Sequence, residues 1–162
     1  MTPVPLYSSL LKYSFCPSRL LIRTWYFLPD QEILNALLSQ AENGVEVTVL
    51  FSHRTRAPFI DIINKIMSDK LTRAGAHVYR YKTRYMHAKE AWNDKGNILF
   101  GSANVDRWAL NSNFECSLQL HNLNLAQQLQ QALQADLCCC QRVNWQEQFL
   151  PERQRRDYWP SW

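Results

Sequence analysis

Apolar and polar positions recur with two different periods along the first part of the chain. Residues from Leu20 to Phe27 are mostly apolar, β-branched or aromatic, which predicts a buried strand that stops before Pro29. Asp30 is the predicted N-cap of a helix over residues 31–42, where apolar side chains fall on one face. Gly44 is placed to end that helix. The pattern therefore begins with a strand that leads into an amphipathic helix.

The same order of strand and helix continues to residue 81. A second strand is predicted from Val45 to Phe51, a second helix from Pro58 to Arg73, and a third strand from His77 to Tyr81. The second helix carries apolar residues near helical spacing, namely Phe59, Ile60, Ile63, Ile66, Met67 and Leu71. Strand, helix, strand, helix, strand is typical of βαβ units with parallel strands and right-handed crossovers, so the fold class is α/β.

Shorter elements follow after Arg84. Met86 to Asn93 and Asn97 to Phe100 are predicted to be extended, and Asp94-Lys95-Gly96 between them favours the turn of a hairpin. A further extended run is Phe114 to Leu120. The last convincing element is a helix from about Leu125 to Cys138, which we expect to cover one face of the sheet.

Composition and charge narrow the class of protein. A chain of 162 residues fits one globular domain, and 46% hydrophobic with 20% charged residues excludes a disordered or fibrous design. No stretch of 18 apolar residues or secretion-signal pattern is found, so we expect a cytoplasmic location. The net charge of +4 favours anionic partners, either phospholipid head groups or nucleic acid.

The five cysteines show no spacing typical of a zinc site, so no metal site is predicted. They are Cys16, Cys116 and the consecutive Cys138, Cys139 and Cys140. We interpret the triplet as small, mostly buried side chains, because adjacent residues on a helix point in different directions. Lipidation and redox chemistry are the alternatives.

The candidate chemistry lies between residues 86 and 115. His87 and Lys89 are two residues apart, so on a strand their side chains share one side and place an imidazole beside a cation. Cleavage of a phosphodiester needs a nucleophile or proton donor, together with cations and donors for the phosphoryl oxygens. Lys89, the Ser102 hydroxyl and the Asn104 amide are predicted to bind that phosphate.

Two carboxylates accompany this group. Glu115 lies on the next predicted strand and is the candidate that accepts from the second ring nitrogen of His87 and fixes its tautomer. Asp94 lies seven residues beyond His87, an odd offset that would turn it to the other side of a regular strand. We therefore count Asp94 among the site residues by spacing but expect a structural role at the turn.

The spacing of these residues resembles the signature of the phospholipase D superfamily. The residues that carry the resemblance are His87, Lys89, Asp94, Gly101, Ser102 and Asn104. Within the superfamily the chain resembles the C-terminal half of bacterial cardiolipin synthases over roughly residues 20 to 150. Further segments that support this are Tyr26 to Asp30, Ala41 to Val47, Asn104-Val105-Asp106, Leu110-Asn111 and Glu115.

The resemblance implies a phospholipase D-like βαβ sheet flanked by helices, one half of the usual two-repeat architecture. It also implies a phosphohistidine mechanism with no metal or other cofactor. One histidine would form a covalent phosphatidyl intermediate on an anionic phospholipid substrate, and a second histidine, from another copy of the motif, would act as acid and then base. The acceptor would be an alcohol in a synthase and water in a hydrolase or nuclease.

This chain has one copy of the motif, because His53, His77 and His121 lack a lysine two residues later. The resemblance therefore implies either a homodimer or a fragment whose first half lies elsewhere. We divide the chain into an N-terminal segment, 1–19, the phospholipase D-like domain, 20–150, and a basic aromatic tail, 151–162.

The sequence is compatible with three functions. They are a phosphatidyltransferase or phospholipase that works peripherally at a membrane, a homodimeric nuclease, and an inactive remnant. Asn104-Val105-Asp106 with Leu110-Asn111 favours the lipid branch over nucleic acid.

Overall fold

The computed structural model describes residues 17–55, 57–106 and 114–144. Its elements in chain order are β1 (Arg19–Thr24), β2 (Phe27–Leu28), α1 (Gln31–Glu42), β3 (Glu46–Ser52), α2 (Pro58–Arg73), β4 (His77–Tyr81), β5 (Lys89–Asn93), β6 (Asn97–Gly101), β7 (Val105–Asp106), β8 (Ser117–His121), α3 (Leu123–Leu137) and β9 (Cys140–Arg142). The predicted succession of strands and helices is present. The first predicted strand is divided at Trp25-Tyr26, and β7 and β9 were not predicted.

The strands of the described residues form one large sheet and one small one. The large sheet has seven strands in the order β8-β6-β5-β1-β3-β4-β9. β1, β3 and β4 are parallel, as the βαβ pattern predicts, whereas β5, β6, β8 and β9 pair antiparallel with their neighbours. The hairpin between β5 and β6 is too short for a crossover, so these strands must run in opposite directions. β2 and β7 form a separate parallel pair.

Helices cover both faces of the large sheet, which confirms the expected α/β class. Leu20 and Ile22 of β1 pack in the core beneath α1 and α2. Leu21, between them, packs with Trp92 and Leu133 beneath α3. Successive residues of a strand alternate between faces, so each strand contributes to both cores. The expected cover of one face by the last helix is confirmed.

The turn of the β5–β6 hairpin is organised by a buried amide. Asn93 is fully buried, and its Oδ1 accepts hydrogen bonds from the backbone N–H groups of Lys95 and Asn97, both at 3.1 Å. Gly96 has a φ of 83°, a conformation that favours glycine, and it closes the turn. The hairpin predicted from Asp94-Lys95-Gly96 is therefore observed.

The cysteine triplet is more exposed than predicted. Cys138 is exposed, and Cys139 and Cys140 are half-buried at the end of α3 and the start of β9. The prediction of mostly buried side chains is therefore wrong for Cys138, because that residue caps the helix at the surface. Cys16 lies outside the described residues, as do Leu110-Asn111 and the tail 151–162.

The described ranges contain neither a membrane-spanning helix nor a cluster of metal ligands. None of their helices combines the length and apolarity that crossing a bilayer requires. Within the same ranges, no group of at least three His, Cys, Asp or Glu side chains is arranged to hold a metal ion.

Candidate active site

The candidate site lies at one end of the large sheet. Thr24, the last residue of β1, is paired with Lys89, the first residue of β5. β3 runs parallel to β1, so its last residue, Ser52, lies at this end as well. β6 ends here at Gly101, which pairs with Ser117 at the start of β8. The sequence segments that carry the motif therefore converge on one end of the sheet.

His87 and Lys89 are in contact. The Lys89 ammonium nitrogen lies 3.2 Å from His87 Nε2 and also donates to the His87 backbone carbonyl at 3.2 Å. His87 itself precedes β5 rather than belonging to it, and its side chain is exposed. The predicted juxtaposition of imidazole and cation is present in the structure, on a surface that a ligand can reach.

A buried serine fixes the backbone that leads to His87. The Ser52 hydroxyl donates to the Met86 carbonyl at 2.9 Å and accepts from the Met86 N–H at 3.0 Å. Ser52 is only 2% exposed, so these bonds are shielded from water. Sequence reasoning missed this residue, because no local spacing connects the end of β3 with residue 86.

Two aromatic rings lie against the imidazole. The ring centroid of Trp25 is 5.2 Å from that of His87, and the Tyr85 ring is nearly parallel to the imidazole at 6.2 Å. Trp25 and Tyr85 also contact each other, with centroids 5.5 Å apart. These rings restrict how the imidazole can turn. The sequence offers one indication of both rings: Trp25 directly follows β1, and Tyr85 directly precedes the motif segment that begins at Met86.

The electrostatic environment favours a neutral imidazole. Partial burial, and then the neighbouring charge of Lys89, lower the pKa of His87. Burial also lowers the pKa of Lys89, while the carboxylate of Glu115 opposes that change. A neutral imidazole carries the lone pair that a nucleophile needs. Glu115 therefore lies close enough to Lys89 to affect its pKa.

Ser102 connects Glu115 to the site. Its hydroxyl donates to a carboxylate oxygen of Glu115 and accepts from the Cys116 N–H at 2.9 Å. The hydroxyl hydrogen is therefore directed to Glu115 rather than toward a phosphate position. Gly101 lies so close to the neighbouring chain segment that an added Cβ would be 2.3 Å from the Cys116 carbonyl oxygen.

Asn104 is held by a half-buried tyrosine. The Tyr26 hydroxyl donates to Asp106 Oδ2 at 2.7 Å and accepts from Asn104 Nδ2 at 3.2 Å. Burial and the adjacent Asp106 raise the pKa of Tyr26. An amide nitrogen has two hydrogens, so one stays available for a phosphoryl oxygen. Tyr26 also touches Trp25, at 4.8 Å between ring centroids, which links Asn104 to the aromatic surroundings of His87.

Asp94 lies at the opposite end of β5 and does not join this group. Its carboxylate accepts from the Ser18 hydroxyl at 2.6 Å and from the Arg19 N–H at 3.2 Å. Burial acts against it, but these hydrogen bonds lower the pKa of Asp94. Motif spacing grouped Asp94 with the site residues, but β5 carries it away from His87, and its carboxylate connects the hairpin to the start of β1.

The fold is that of the phospholipase D class. The chain superimposes on the crystal structure of a phospholipase D family member, Nuc, from Salmonella typhimurium with a TM-score of 0.71 and 17% identity, covering 85% of this chain and 90% of Nuc. A family model described as "Cardiolipin synthase, PLD-like domain" matches residues 14–137. The chain therefore belongs to the cardiolipin synthase type of phospholipase D-like domain.

Relatives with curated names support this membership. The chain is 31% identical over 124 residues to a cardiolipin synthase of Clostridium perfringens (strain 13 / Type A), covering 76% of this chain and 26% of the relative. It is 29% identical over 134 residues to cardiolipin synthase B of Escherichia coli O6:H1, covering 82% of this chain and 32% of the relative. The chain thus spans between a quarter and a third of the length of these relatives.

Proposed function

We propose that the chain contributes one half of a site for phosphodiester transfer on a phospholipid, with His87 as the nucleophile. The observation that carries the proposal is the contact of Lys89 with His87 Nε2 at 3.2 Å. A cation at that nitrogen marks where a negatively charged phosphoryl group would bind. The lowered pKa of His87 supports the neutral form that attack requires.

The chemistry would proceed in two displacements. His87 Nε2 forms a bond to phosphorus while the bond from phosphorus to the leaving alcohol breaks, and a second histidine protonates that alcohol. An acceptor alcohol then gives its proton to the second histidine and displaces His87 from phosphorus. Lys89 and Asn104 would stabilise the charge on the phosphoryl oxygens. Ser102 would reach these oxygens only by releasing Glu115.

The second histidine would come from another copy of the motif. His77 is the first residue of β4 and His121 the last residue of β8, so both lie at the far end of the sheet. Burial and the nearby Arg80 lower the pKa of His53 to about 4, so it is unprotonated at neutral pH and unsuited to act as an acid. We propose that a second chain, or a missing half of a longer protein, completes the site.

The proposal can be tested with one substitution and a matched control. Purified protein is incubated with phosphatidylglycerol, with and without added glycerol, and in parallel with single-stranded DNA in the presence of a chelator. His87→Ala should reduce any turnover to background, because the covalent step is lost. His121→Ala, an exposed histidine at the far end of the sheet, should keep full activity.

Each arm of this assay identifies one of the open functions. The added glycerol is isotopically labelled, so its incorporation into phosphatidylglycerol supports the synthase type of reaction. Formation of phosphatidic acid with release of glycerol supports a hydrolase. Cleavage of DNA without a lipid product would assign the site to the nuclease alternative, which the charge of +4 also suits. Full activity in His87→Ala would remove His87 from the mechanism.

A further inference from the structure

Helix α2 exposes a continuous row of apolar and then basic side chains. Phe59 and Ile62 are each 62% exposed and Ile66 is 47% exposed, at spacings that keep them on one face of the helix. Lys70 and Arg73 are exposed and continue the same face toward the C-terminal end. We call these five residues the α2 outer stripe.

The contacts on the inner side of α2 do not explain why large apolar side chains are exposed on its outer face. The helix packs against the domain through Asn64, Ser68 and Leu71, which are buried. Small and polar side chains thus face the core at two of these positions, while larger apolar ones face outward. Apolar side chains grouped on a surface mark an interaction site more often than chance exposure. The folded domain therefore leaves the α2 outer stripe exposed.

The position of α2 relates the stripe to the candidate site. The helix begins six residues after Ser52, whose hydroxyl holds Met86 next to His87. Farther along the helix, Asn64 Oδ1 accepts from the backbone N–H of Phe27 at 2.9 Å, adjacent to Tyr26. The apolar end of the stripe, at Phe59, therefore lies toward the end of the sheet that carries the site.

We propose that the α2 outer stripe docks the protein on the surface of an anionic phospholipid bilayer. Phe59, Ile62 and Ile66 would enter the boundary between head groups and acyl chains, and Lys70 and Arg73 would contact phosphate groups. The purpose of this docking rests on the proposed function, because it would present a lipid head group to the end of the sheet that carries His87.

Charge complementarity favours a bilayer over a second copy of the chain. A facing copy of the stripe would supply apolar side chains but no anions, since the stripe itself consists only of apolar and basic residues. An anionic bilayer can take up the apolar side chains of the stripe and also supply phosphate groups to its basic side chains.

Vesicle binding of the full chain tests the proposal without relying on turnover. Co-sedimentation is measured with vesicles of phosphatidylglycerol mixed with phosphatidylcholine and with phosphatidylcholine alone. The double variant Ile62→Ser, Ile66→Ser should bind the anionic vesicles at least about tenfold more weakly, because the inserted apolar area is lost. Lys70→Gln with Arg73→Gln should weaken binding and reduce its dependence on salt.

Matched controls keep the result specific to the stripe. Leu123→Ser removes a comparably exposed apolar side chain, 54% exposed, at the start of α3, and should leave binding unchanged. Arg142→Gln is the control for loss of one surface charge. Ile62→Trp should strengthen binding, because tryptophan favours the lipid interface, and it tests the stripe even if a serine variant does not fold.

The possible outcomes separate docking from catalysis. Stripe-dependent vesicle binding in a chain without turnover would support docking and count against the proposed function alone. Equal binding by the wild type and the stripe variants would overturn docking, whatever turnover is seen with a short-chain, monomeric lipid. A change from dimer to monomer in the stripe variants would also overturn it, since the stripe would then be an interface between copies.

Discussion

At the scale of single residues, the site depends on how one imidazole is kept neutral and oriented. Lys89 lies against Nε2 of His87, and the rings of Trp25 and Tyr85 lie beside the imidazole. Ser52 fixes the backbone immediately before it through both polar groups of Met86. The pair of His87 and Lys89 could be predicted from a spacing of two in an extended segment, although the observed strand begins only at Lys89. Ser52 and Trp25 could not, since they are distant in sequence from His87.

Removal of the Lys89 charge should change the pKa of His87 and the pH dependence of activity. The positive charge of Lys89 lowers the pKa of His87, after partial burial, so Lys89→Met should raise the pKa of His87 toward its ordinary value. The neutral imidazole would then be present only at higher pH, and the acid limb of the pH–rate profile should move upward. Loss of a phosphate donor should also lower kcat/KM by about 100-fold or more.

Titration of the imidazole by NMR checks this shift without requiring activity. Lys95→Met serves as the control, because Lys95 lies at the opposite end of β5, beside Asp94. An unchanged His87 titration in Lys89→Met would show that the two side chains are not electrostatically linked. A downward shift would contradict the sign of the proposed effect.

At the scale of elements, local patterns predicted most of the architecture. The helices 31–42 and 58–73 match the observed α1 and α2, since the Asp30 cap of α1, the Pro58 start of α2 and the helical spacing of both are local features of the sequence. β9 was not predicted, because three residues carry too little pattern and the strand exists only by pairing with β4. The placement of Asp94 far from His87 likewise required the register of β5 against β1.

A group of three charged residues connects elements that are far apart in sequence. Arg23 of β1 pairs with Glu90 of β5 and with Asp136 of α3, the latter at 2.5 Å. The guanidinium also lies 5.5 Å from the ring centroid of Trp92. Arg23 has 13% of its side chain exposed, so its partners depend on it for compensation of their charge.

Substitution of this arginine should destabilise the fold much more than substitution of an exposed one. Arg23→Met leaves two poorly hydrated carboxylates without their partner and should lower the free energy of unfolding by about 3 kcal/mol. Arg19→Met removes a pair with Glu46 whose side chains are 54% and 49% exposed, and should cost less than about 1 kcal/mol. Urea denaturation measures both, and equal losses would show that Arg23 contributes no more than a surface ion pair.

At the scale of the whole molecule, the site lies beside an outer strand of the sheet that the described residues form. β8 ends the order of the described sheet, and apolar side chains lie around the site at this end. Phe114 is fully exposed, Tyr85 is 52% exposed and Leu118 of β8 is 49% exposed. An exposed strand edge and uncovered apolar residues are features of a surface that pairs with another chain or domain. This supports the proposal that a second motif completes the site.

If two copies of this chain supply both motifs, activity should depend on their association. Specific activity should rise with protein concentration and level off when the dimer is fully formed, in step with the mass measured by sedimentation equilibrium. Leu118→Ser should shift both curves to concentrations at least about tenfold higher, because it exposes less apolar area for pairing. Leu123→Ser, equally exposed but at the far end of β8, should shift neither. Full specific activity in a chain that stays monomeric at every concentration would contradict the shared site, since one imidazole would then perform both displacements.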